Sequence, residues 1–185
     1  MILLFCGLSG AGKTTLAESV QKRLVQLSIP VEVIDADQYR SRLFSDLGFS
    51  RRDRMENIRR LGFIANKFAS HGIVSIVSAI NPYEEVRREL IARYRDVKVA
   101  HIDCPLDELK RRDTKGLYLR AALPDDAPGK LHCLSGVNDP FEAPVSPDLY
   151  FNTRHSGIDE CTRLICSYLI GRVSPAQRNR AWHGQ

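Results

Sequence analysis

The feature that most constrains the fold lies at the start of the chain, where the apolar residues 2–6 run directly into a glycine-rich turn. This turn, Gly7-Leu8-Ser9-Gly10-Ala11-Gly12-Lys13-Thr14, matches the pattern G-x-x-x-x-G-K-[ST]. An apolar run before it and helix-period residues after it place it between a buried strand and a helix, as the pattern requires. The glycines then let backbone N–H groups face a phosphate, and the helix N-terminus adds its positive dipole end. The sequence therefore predicts a phosphate-binding loop.

The polar residues of this loop predict that it binds a nucleoside triphosphate together with Mg²⁺. Lys13 would reach the β- and γ-phosphates, Thr14 would hold the metal through its hydroxyl, and Thr15 would assist at the α-phosphate. The predicted ATP contacts come from Gly7, Ser9, Gly10, Ala11, Gly12, Lys13, Thr14 and Thr15. Kinases, GTPases and motor ATPases all carry such a loop, so it does not by itself define the reaction.

Apolar strand-like runs alternate with helix-period segments along the rest of the chain, which predicts an α/β fold. The predicted strands are residues 2–6, 31–35, 73–78, 97–103 and 148–152. Apolar residues at helical spacing predict helices around residues 16–27, 58–68 and 86–94, a short helix at 106–112 and a last one at 158–170. We therefore expect three layers, with a five-stranded parallel sheet between two layers of helices.

One segment interrupts this alternation. Residues 113–147 are rich in proline and glycine and contain no long periodic run. Long irregular segments within compact domains are usually functional, so we expect a lid over the site here. We assign residues 1–173 to one domain that carries the phosphate-binding loop and includes this lid, and residues 174–185 to a polar, basic tail.

Composition narrows the possible partners and the location. The net charge of +5 suggests an anionic ligand. Because the basic residues are not interleaved with aromatic ones, we expect no nucleic-acid partner. No apolar run approaches the roughly 20 residues that span a bilayer, and the apolar start is too short for a signal peptide. We therefore expect a cytoplasmic protein with a small-molecule nucleotide substrate and no membrane partner. The five cysteines lack metal-site spacing, so we interpret them as idle thiols.

Several further motifs occur in a fixed order along the chain. They are DADQYR at 35–40, DLGFS at 46–50, DRMENIRR at 53–60, SAINPY at 78–83, RDTKGLY at 112–118 and SGVNDPFEAP at 135–144. In this order they resemble the adenylylsulfate kinases, which use MgATP to phosphorylate the 3′-hydroxyl of adenosine 5′-phosphosulfate. The resemblance covers residues 2 to about 153, and it implies a P-loop kinase fold with a five-stranded parallel sheet, the same activity and a homodimer.

Two aspartates follow the second predicted strand, at the edge where parallel sheets place ligands. Phosphoryl transfer to a hydroxyl needs one carboxylate to orient the hydroxyl and accept its proton, and another acceptor near the metal. Asp35 and Asp37 could serve both needs, with Lys13 as the third catalytic residue. Asp37 could instead be a helix N-cap. The residues do not say which aspartate is the base, while the family pattern favours Asp35 near the metal and Asp37 near the acceptor.

The resemblance also implies an acceptor-binding set. Arg40, Arg54 and Lys115 match positions that contact the phosphosulfate nucleotide, and guanidinium groups suit paired phosphate and sulfate oxygens. Phe49 and Asn57 match positions that stack on the base and hydrogen-bond to it. The other members of the predicted set are Asp37, Ile80, Asn81 and Leu134. On sequence alone, Arg54 could belong to a solvated charged face and Phe49 to the core.

The chain departs from the family pattern in ways that bear on the substrate. Asn81 stands where many members have a serine that becomes phosphorylated, so we expect direct transfer from ATP. Leu134 stands where members have a phenylalanine that closes on the acceptor adenine, and the lid is several residues longer than usual. A related kinase for another nucleotide, such as cytidine diphosphoramidate, and an inactive nucleotide-binding module are therefore the alternatives.

Overall fold

The computed structural model describes residues 1–172 and shows one parallel sheet in the order β2-β3-β1-β4-β5. The strands are β1 (Ile2–Cys6), β2 (Val31–Asp35), β3 (Val74–Ser78), β4 (Val97–Asp103) and β5 (Leu149–Asn152). Every neighbouring pair is parallel, and β1 lies between β3 and β4. From β1 the chain passes to β2 and β3 on one side of β1, and it then crosses to β4 and β5 on the other side. In such sheets the crevice for a ligand opens where the connections diverge, which here is the carboxyl end of β1.

Seven helices connect or follow these strands within the described residues. They are α1 (Lys13–Gln26), α2 (Ala36–Arg42), α3 (Arg51–Ser70), α4 (Glu84–Arg93), α5 (Leu106–Arg112), α6 (Leu117–Ala121) and α7 (Ile158–Ile170). The first and last pack on one face of the sheet, whereas α3 and α4 pack on the other. This is the predicted three-layer α/β/α fold, which the structure confirms.

The central strand shows why the chain begins with an unbroken apolar run. Leu3 and Phe5 face the core beneath α1 and α7. Ile2, Leu4 and Cys6 face the core beneath α3 and α4. All five are buried, because a parallel strand covered by helices on both faces has no solvent side.

The structure differs from the sequence-based expectation at element ends and in two short helices. The third and fifth strands begin one residue later than predicted, at Val74 and Leu149. The unpredicted α2 directly follows β2, and the unpredicted α6 begins after Gly116, inside the lid. Neither helix gives a periodic apolar signal in the sequence, because α2 contains no fully buried residue and α6 has only five residues.

The segment predicted to form a lid (residues 113–147, called the lid below) packs against the body of the protein rather than extending from it. The Tyr118 hydroxyl donates to the Ser9 carbonyl at 2.7 Å, and Leu134 is buried in the core on the α1 side. Within residues 1–172, no helix is long and apolar enough to cross a membrane. The predicted basic tail at 174–185 lies outside the described residues.

Candidate active site

The phosphate loop, residues 7–15, turns sharply at the carboxyl end of β1. A Cβ atom on Gly7 would lie 2.1 Å from the Ile102 carbonyl oxygen of β4, so only glycine fits there. Gly12, at φ +91°, starts α1 and offers no side-chain cap to the first amides of the helix. Those N–H groups are therefore available to an anion at the helix N-terminus.

Lys13 is held inside the loop by the backbone that it follows. Its ammonium group donates to the Leu8 carbonyl at 2.7 Å, and the side chain is buried. Burial is the main cause that lowers the pKa of Lys13 to about 8, while the nearby carboxylates of Asp37 and Asp35 raise it in part. A buried cation with a lowered pKa gains most from an anionic ligand, because the ligand restores the charge that burial disfavours.

Asp35 connects the phosphate loop to α2. The Thr14 hydroxyl donates to Asp35 Oδ2 at 2.9 Å and lies 3.4 Å from the Ser78 hydroxyl. The other oxygen, Oδ1, accepts the backbone N–H groups of Asp37 and Gln38 and so caps α2. The N-cap is thus Asp35 and not Asp37, and the capping fixes the Asp35 carboxylate beside Thr14.

The pair Thr14 and Asp35 has the chemistry that Mg²⁺ prefers. Both offer oxygen atoms, and one carboxylate with one hydroxyl suits a cation that keeps several waters and takes further oxygens from phosphates. Residues 1–172 contain no cluster of three or more acidic, histidine or cysteine side chains that could form an all-protein cage. The hydroxyl of Thr14 and the carboxylate of Asp35 therefore fit Mg²⁺ by the chemistry of their oxygen atoms.

Asp37 faces the same cleft from the first turn of α2. Its side chain is 77% exposed, and Lys115 of the lid donates to Asp37 Oδ2 at 2.6 Å. Both groups lie close enough to Lys13 to shift its pKa: the Asp37 carboxylate raises it and the Lys115 ammonium group lowers it. Unlike Asp35, Asp37 is free of any helix-capping bond through its side chain.

Phe49 forms an exposed aromatic platform and does not belong to the core. Its ring is 56% exposed, and the guanidinium groups of Arg40 and Arg54 lie 4.8 and 5.5 Å from the ring centre. Arg40 also donates to the carbonyls of Leu47 and Gly48, at 3.0 and 2.7 Å, so it anchors the loop that carries the platform.

Arg54 is buried and does not lie on a solvated face. It donates to the Phe49 carbonyl, to the Ser135 hydroxyl and to the Cys133 carbonyl, and it pairs with Asp139 at 3.4 Å. Three of these partners belong to the lid. Arg54 thus joins the aromatic platform to the lid.

Two asparagines carry buried amide atoms that have no hydrogen-bond partner in the described structure. They are Asn57 Oδ1 on α3 and both polar atoms of the Asn81 side chain. Asn81 lies in the loop after β3 with φ +49°, next to Ile80, whose carbonyl accepts the Gly7 N–H at 3.1 Å. Buried polar atoms without a partner are costly, which makes these amides suited to bind a polar ligand or water.

Leu134, another member of the predicted acceptor-binding set, is buried in the apolar core. It is only 4% exposed and packs in the core beside the phosphate loop. Its predicted contact with the acceptor base therefore stays a prediction, and it would require the lid to move.

Two residues that hold the loops around this cleft, Arg87 and Glu142, were not predicted from the sequence. Arg87 of α4 is fully buried, and its guanidinium donates to the carbonyls of Asn81 and Glu142, both at 2.6 Å. Glu142 belongs to the quoted motif SGVNDPFEAP, so the sequence carried a signal for it. The sequence carried no such signal for Arg87, which is one of several arginines in a charged amphipathic helix.

Known proteins with similar sequences and structures were found. The sequence model described as adenylylsulphate kinase matches residues 1–152. An adenylyl-sulfate kinase of Chloroflexus aurantiacus is 44% identical over 161 residues, which cover 87% of this chain and 84% of that protein. Among solved structures, the APS kinase of Mycobacterium tuberculosis in complex with AMPPNP and APS has a TM-score of 0.84 at 36% identity. The match covers 91% of this chain and 96% of that one.

A larger assembly is also among the similar structures. A hexameric APS kinase from Thiobacillus denitrificans has a TM-score of 0.66 at 28% identity, and the match covers 92% of this chain and 29% of that one.

Proposed function

This chain belongs to the adenylylsulphate kinase family, and we propose that it transfers the γ-phosphoryl group of ATP to the 3′-hydroxyl of adenosine 5′-phosphosulfate. The product is 3′-phosphoadenylylsulfate, and the remaining nucleotide is ADP. The observation that carries the proposal is the contact of Asp35 with Thr14 of the phosphate loop, with the exposed carboxylate of Asp37 beside it.

The phosphate loop binds and orients ATP. The free amides at the start of α1 take the phosphate oxygens, and the glycine turn allows the backbone to approach them. Lys13 releases the Leu8 carbonyl and turns its ammonium group to the β- and γ-phosphates. In-line transfer depends mainly on such positioning and on charge stabilisation, because the transferred group carries dispersed negative charge.

Thr14 and Asp35 are the residues that would hold Mg²⁺. When bound, the metal neutralises charge that develops on the phosphate oxygens. The protein contributes the orientation of this site: the α2 cap keeps the Asp35 carboxylate in place, and the Thr14 hydroxyl lies at the start of α1.

Asp37 orients the acceptor hydroxyl and takes its proton. The carboxylate is exposed to the cleft, and its side chain pairs with Lys115 alone, whereas Asp35 is occupied by Thr14 and the α2 cap. In this assignment the proton moves from the 3′-hydroxyl to a carboxylate oxygen of Asp37 as the oxygen attacks the γ-phosphorus. Lys115 pairs with the Asp37 carboxylate before the transfer, and it interacts with the acceptor nucleotide once Asp37 has taken the proton and become neutral.

The acceptor base stacks on Phe49, and the neighbouring cations attract the phosphosulfate. The platform is already exposed and is fixed by Arg40 and Arg54. Asn57 supplies an amide oxygen and Asn81 a whole side-chain amide, none of which has a partner of its own. Because Asn81 has no hydroxyl to phosphorylate, the phosphoryl group passes directly from ATP to the acceptor.

We also propose that the working form is a homodimer located in the cytoplasm. The family resemblance supports the dimer, and the need for ATP supports the location. Sedimentation equilibrium at working concentration tests the dimer. A mass near twice 20.9 kDa supports the dimer, and the mass of a monomer or a hexamer would contradict it.

An acceptor panel tests the proposed function. The protein is given MgATP and, in parallel, adenosine 5′-phosphosulfate, adenosine 5′-monophosphate and cytidine diphosphoramidate, and kcat/KM is measured for each. We expect the phosphosulfate to exceed the others by about a hundredfold or more, as expected when a site is built around one polar group. A higher value for the cytidine nucleotide would show that the acceptor assignment is wrong. No turnover of any acceptor, together with tight ATP binding, would indicate a catalytically inactive module.

A further inference from the structure

Glu142, near the end of the lid, makes four contacts with the body of the protein. Its backbone N–H donates to the Pro82 carbonyl at 2.8 Å, and its own carbonyl accepts from Arg87 at 2.6 Å. Its carboxylate accepts the Glu84 N–H at 2.7 Å and lies 3.5 Å from Arg51 of α3. One residue thus ties the lid to α3, α4 and the loop that precedes α4.

The bond to Glu84 replaces a missing helix cap. Tyr83 is the N-cap residue of α4 and makes no side-chain capping bond. The Glu142 carboxylate satisfies one of the first amides of this helix from 58 residues away, and it adds a negative charge where the helix dipole favours one. This backbone bond is the main cause that holds the pKa of Glu142 below its usual range.

The same contacts fix the loop that carries the unpartnered amide of Asn81. Arg87 is 1% exposed and bridges the carbonyls of Asn81 and Glu142. The next residue toward β3, Ile80, accepts the Gly7 N–H of the phosphate loop. A shift of Glu142 would therefore move the acceptor side of the cleft relative to the phosphate loop.

We propose that Glu142 is a positioning residue. It holds the loop at 80–83 and the end of the lid in a fixed position relative to each other, so that Asn81 faces the acceptor. The proposal rests on the proposed function, since the acceptor is the substrate whose binding it controls. ATP binding should change little, because Lys13, Thr14 and Asp35 make none of these contacts and the phosphate loop meets the loop at 80–83 through backbone, at the bond from the Gly7 N–H to the Ile80 carbonyl.

Steady-state kinetics of Glu142→Ala give the first test, with whichever acceptor the unaltered protein uses best. We expect KM for the acceptor to rise about tenfold, as for loss of a hydrogen bond to a charged group, while KM for ATP changes less than about twofold. Glu142→Gln keeps one oxygen for the Glu84 N–H and should fall between Glu142→Ala and the unaltered protein. Glu85→Ala is the matched control, because it removes the other exposed partner of Arg51, at 3.0 Å, without touching the lid. Its acceptor KM should stay unchanged.

Amide hydrogen exchange gives a readout that does not require turnover. In Glu142→Ala, peptides covering 80–84 and 135–142 should exchange faster, whereas those of β1 and α1 should not. A variant with lower melting temperature but unchanged KM for both substrates would show that Glu142 is only a helix cap, which overturns the proposal. Equal increases in both KM values, or unchanged exchange at 80–84, would overturn it as well. Failure of the proposed function alone would appear as an unaltered protein that does not use the phosphosulfate.

Discussion

The hydroxyl oxygen of Thr14 lies 2.9 Å from Oδ2 of Asp35, so the start of α1 and the end of β2 meet at one point. The two residues are 21 positions apart, and β2 does not pair directly with β1. Their meeting follows from the parallel sheet, which brings the carboxyl ends of its strands to one edge. It gives the phosphate loop a carboxylate that the loop itself does not contain.

Asp37→Asn tests the assignment of the acceptor carboxylate. We expect kcat to fall by about a hundredfold or more, which is typical for loss of a general base, while Kd for ATP stays within about twofold. Rapid-quench kinetics and calorimetric ATP titration measure the two effects. Asp125→Asn is the control, since Asp125 is also an exposed aspartate that pairs with a lysine of the lid, Lys130, at 3.2 Å. If both variants keep full kcat, Asp37 is not the base.

The buried ammonium group of Lys13 predicts a pH dependence of ATP binding. With its pKa lowered to about 8, Lys13 is charged below that pH and becomes neutral as the pH rises through it. Affinity for ATP should therefore weaken above about pH 8, by close to tenfold for each further pH unit. Calorimetric Kd values from pH 7 to 9.5 test this. Lys13→Arg keeps its charge over this range and should lack the decline, and a decline of equal size in that variant would contradict the assignment to Lys13.

Removing the Phe49 ring should weaken acceptor binding selectively. Base stacking is worth about 1 to 3 kcal/mol, so Phe49→Ala should raise the acceptor KM roughly tenfold to a hundredfold and leave KM for ATP unchanged. Phe63→Ala is a matched control, because Phe63 is a similarly exposed ring on α3 that carries a lysine, Lys67, over its face. Equal acceptor KM values for the two variants would exclude Phe49 from the site.

The close approach at Gly7 predicts a strong effect of a single methyl group on stability. In Gly7→Ala, the added Cβ would lie 2.1 Å from a backbone oxygen of β4, so the sheet must shift. We expect the free energy of unfolding to fall by about 2 kcal/mol or more, which corresponds to a melting temperature lower by roughly 5 °C. At Gly171 an added Cβ would lie 3.6 Å from the Ser167 carbonyl oxygen, an ordinary contact, so Gly171→Ala should melt within about 1 °C of the unaltered protein. A similar result for both would contradict the packing described at β1.

The strands and the long helices could be predicted because burial leaves a direct trace in the sequence. β1 and β3 are covered on both faces and consist almost entirely of apolar or small residues. The phosphate loop could be predicted for a similar reason, since its glycines, lysine and threonine are each required by local geometry. The resemblance then supplied the acceptor-binding set that no local rule contains.

The supports of the cleft could not be predicted, because they depend on contacts between distant segments. Arg87 meets Glu142 across 55 residues, and nothing in α4 itself marks that arginine as buried. Leu134 could not be placed either, since the choice between cleft and core depends on how the lid packs beside the phosphate loop. Asp35 differs from these residues, because the sequence predicted its place in the site. Its side chain also caps α2, so it has a structural role as well.

The most direct test of the whole account is the identity of the phosphorylated product. The protein is incubated with MgATP and adenosine 5′-phosphosulfate, and the products are resolved by phosphorus NMR and quantified. The account predicts one ADP for each 3′-phosphoadenylylsulfate, with the new phosphate on the 3′-oxygen. ADP formed without a 3′-phosphorylated nucleotide, or no ADP above background, would contradict it.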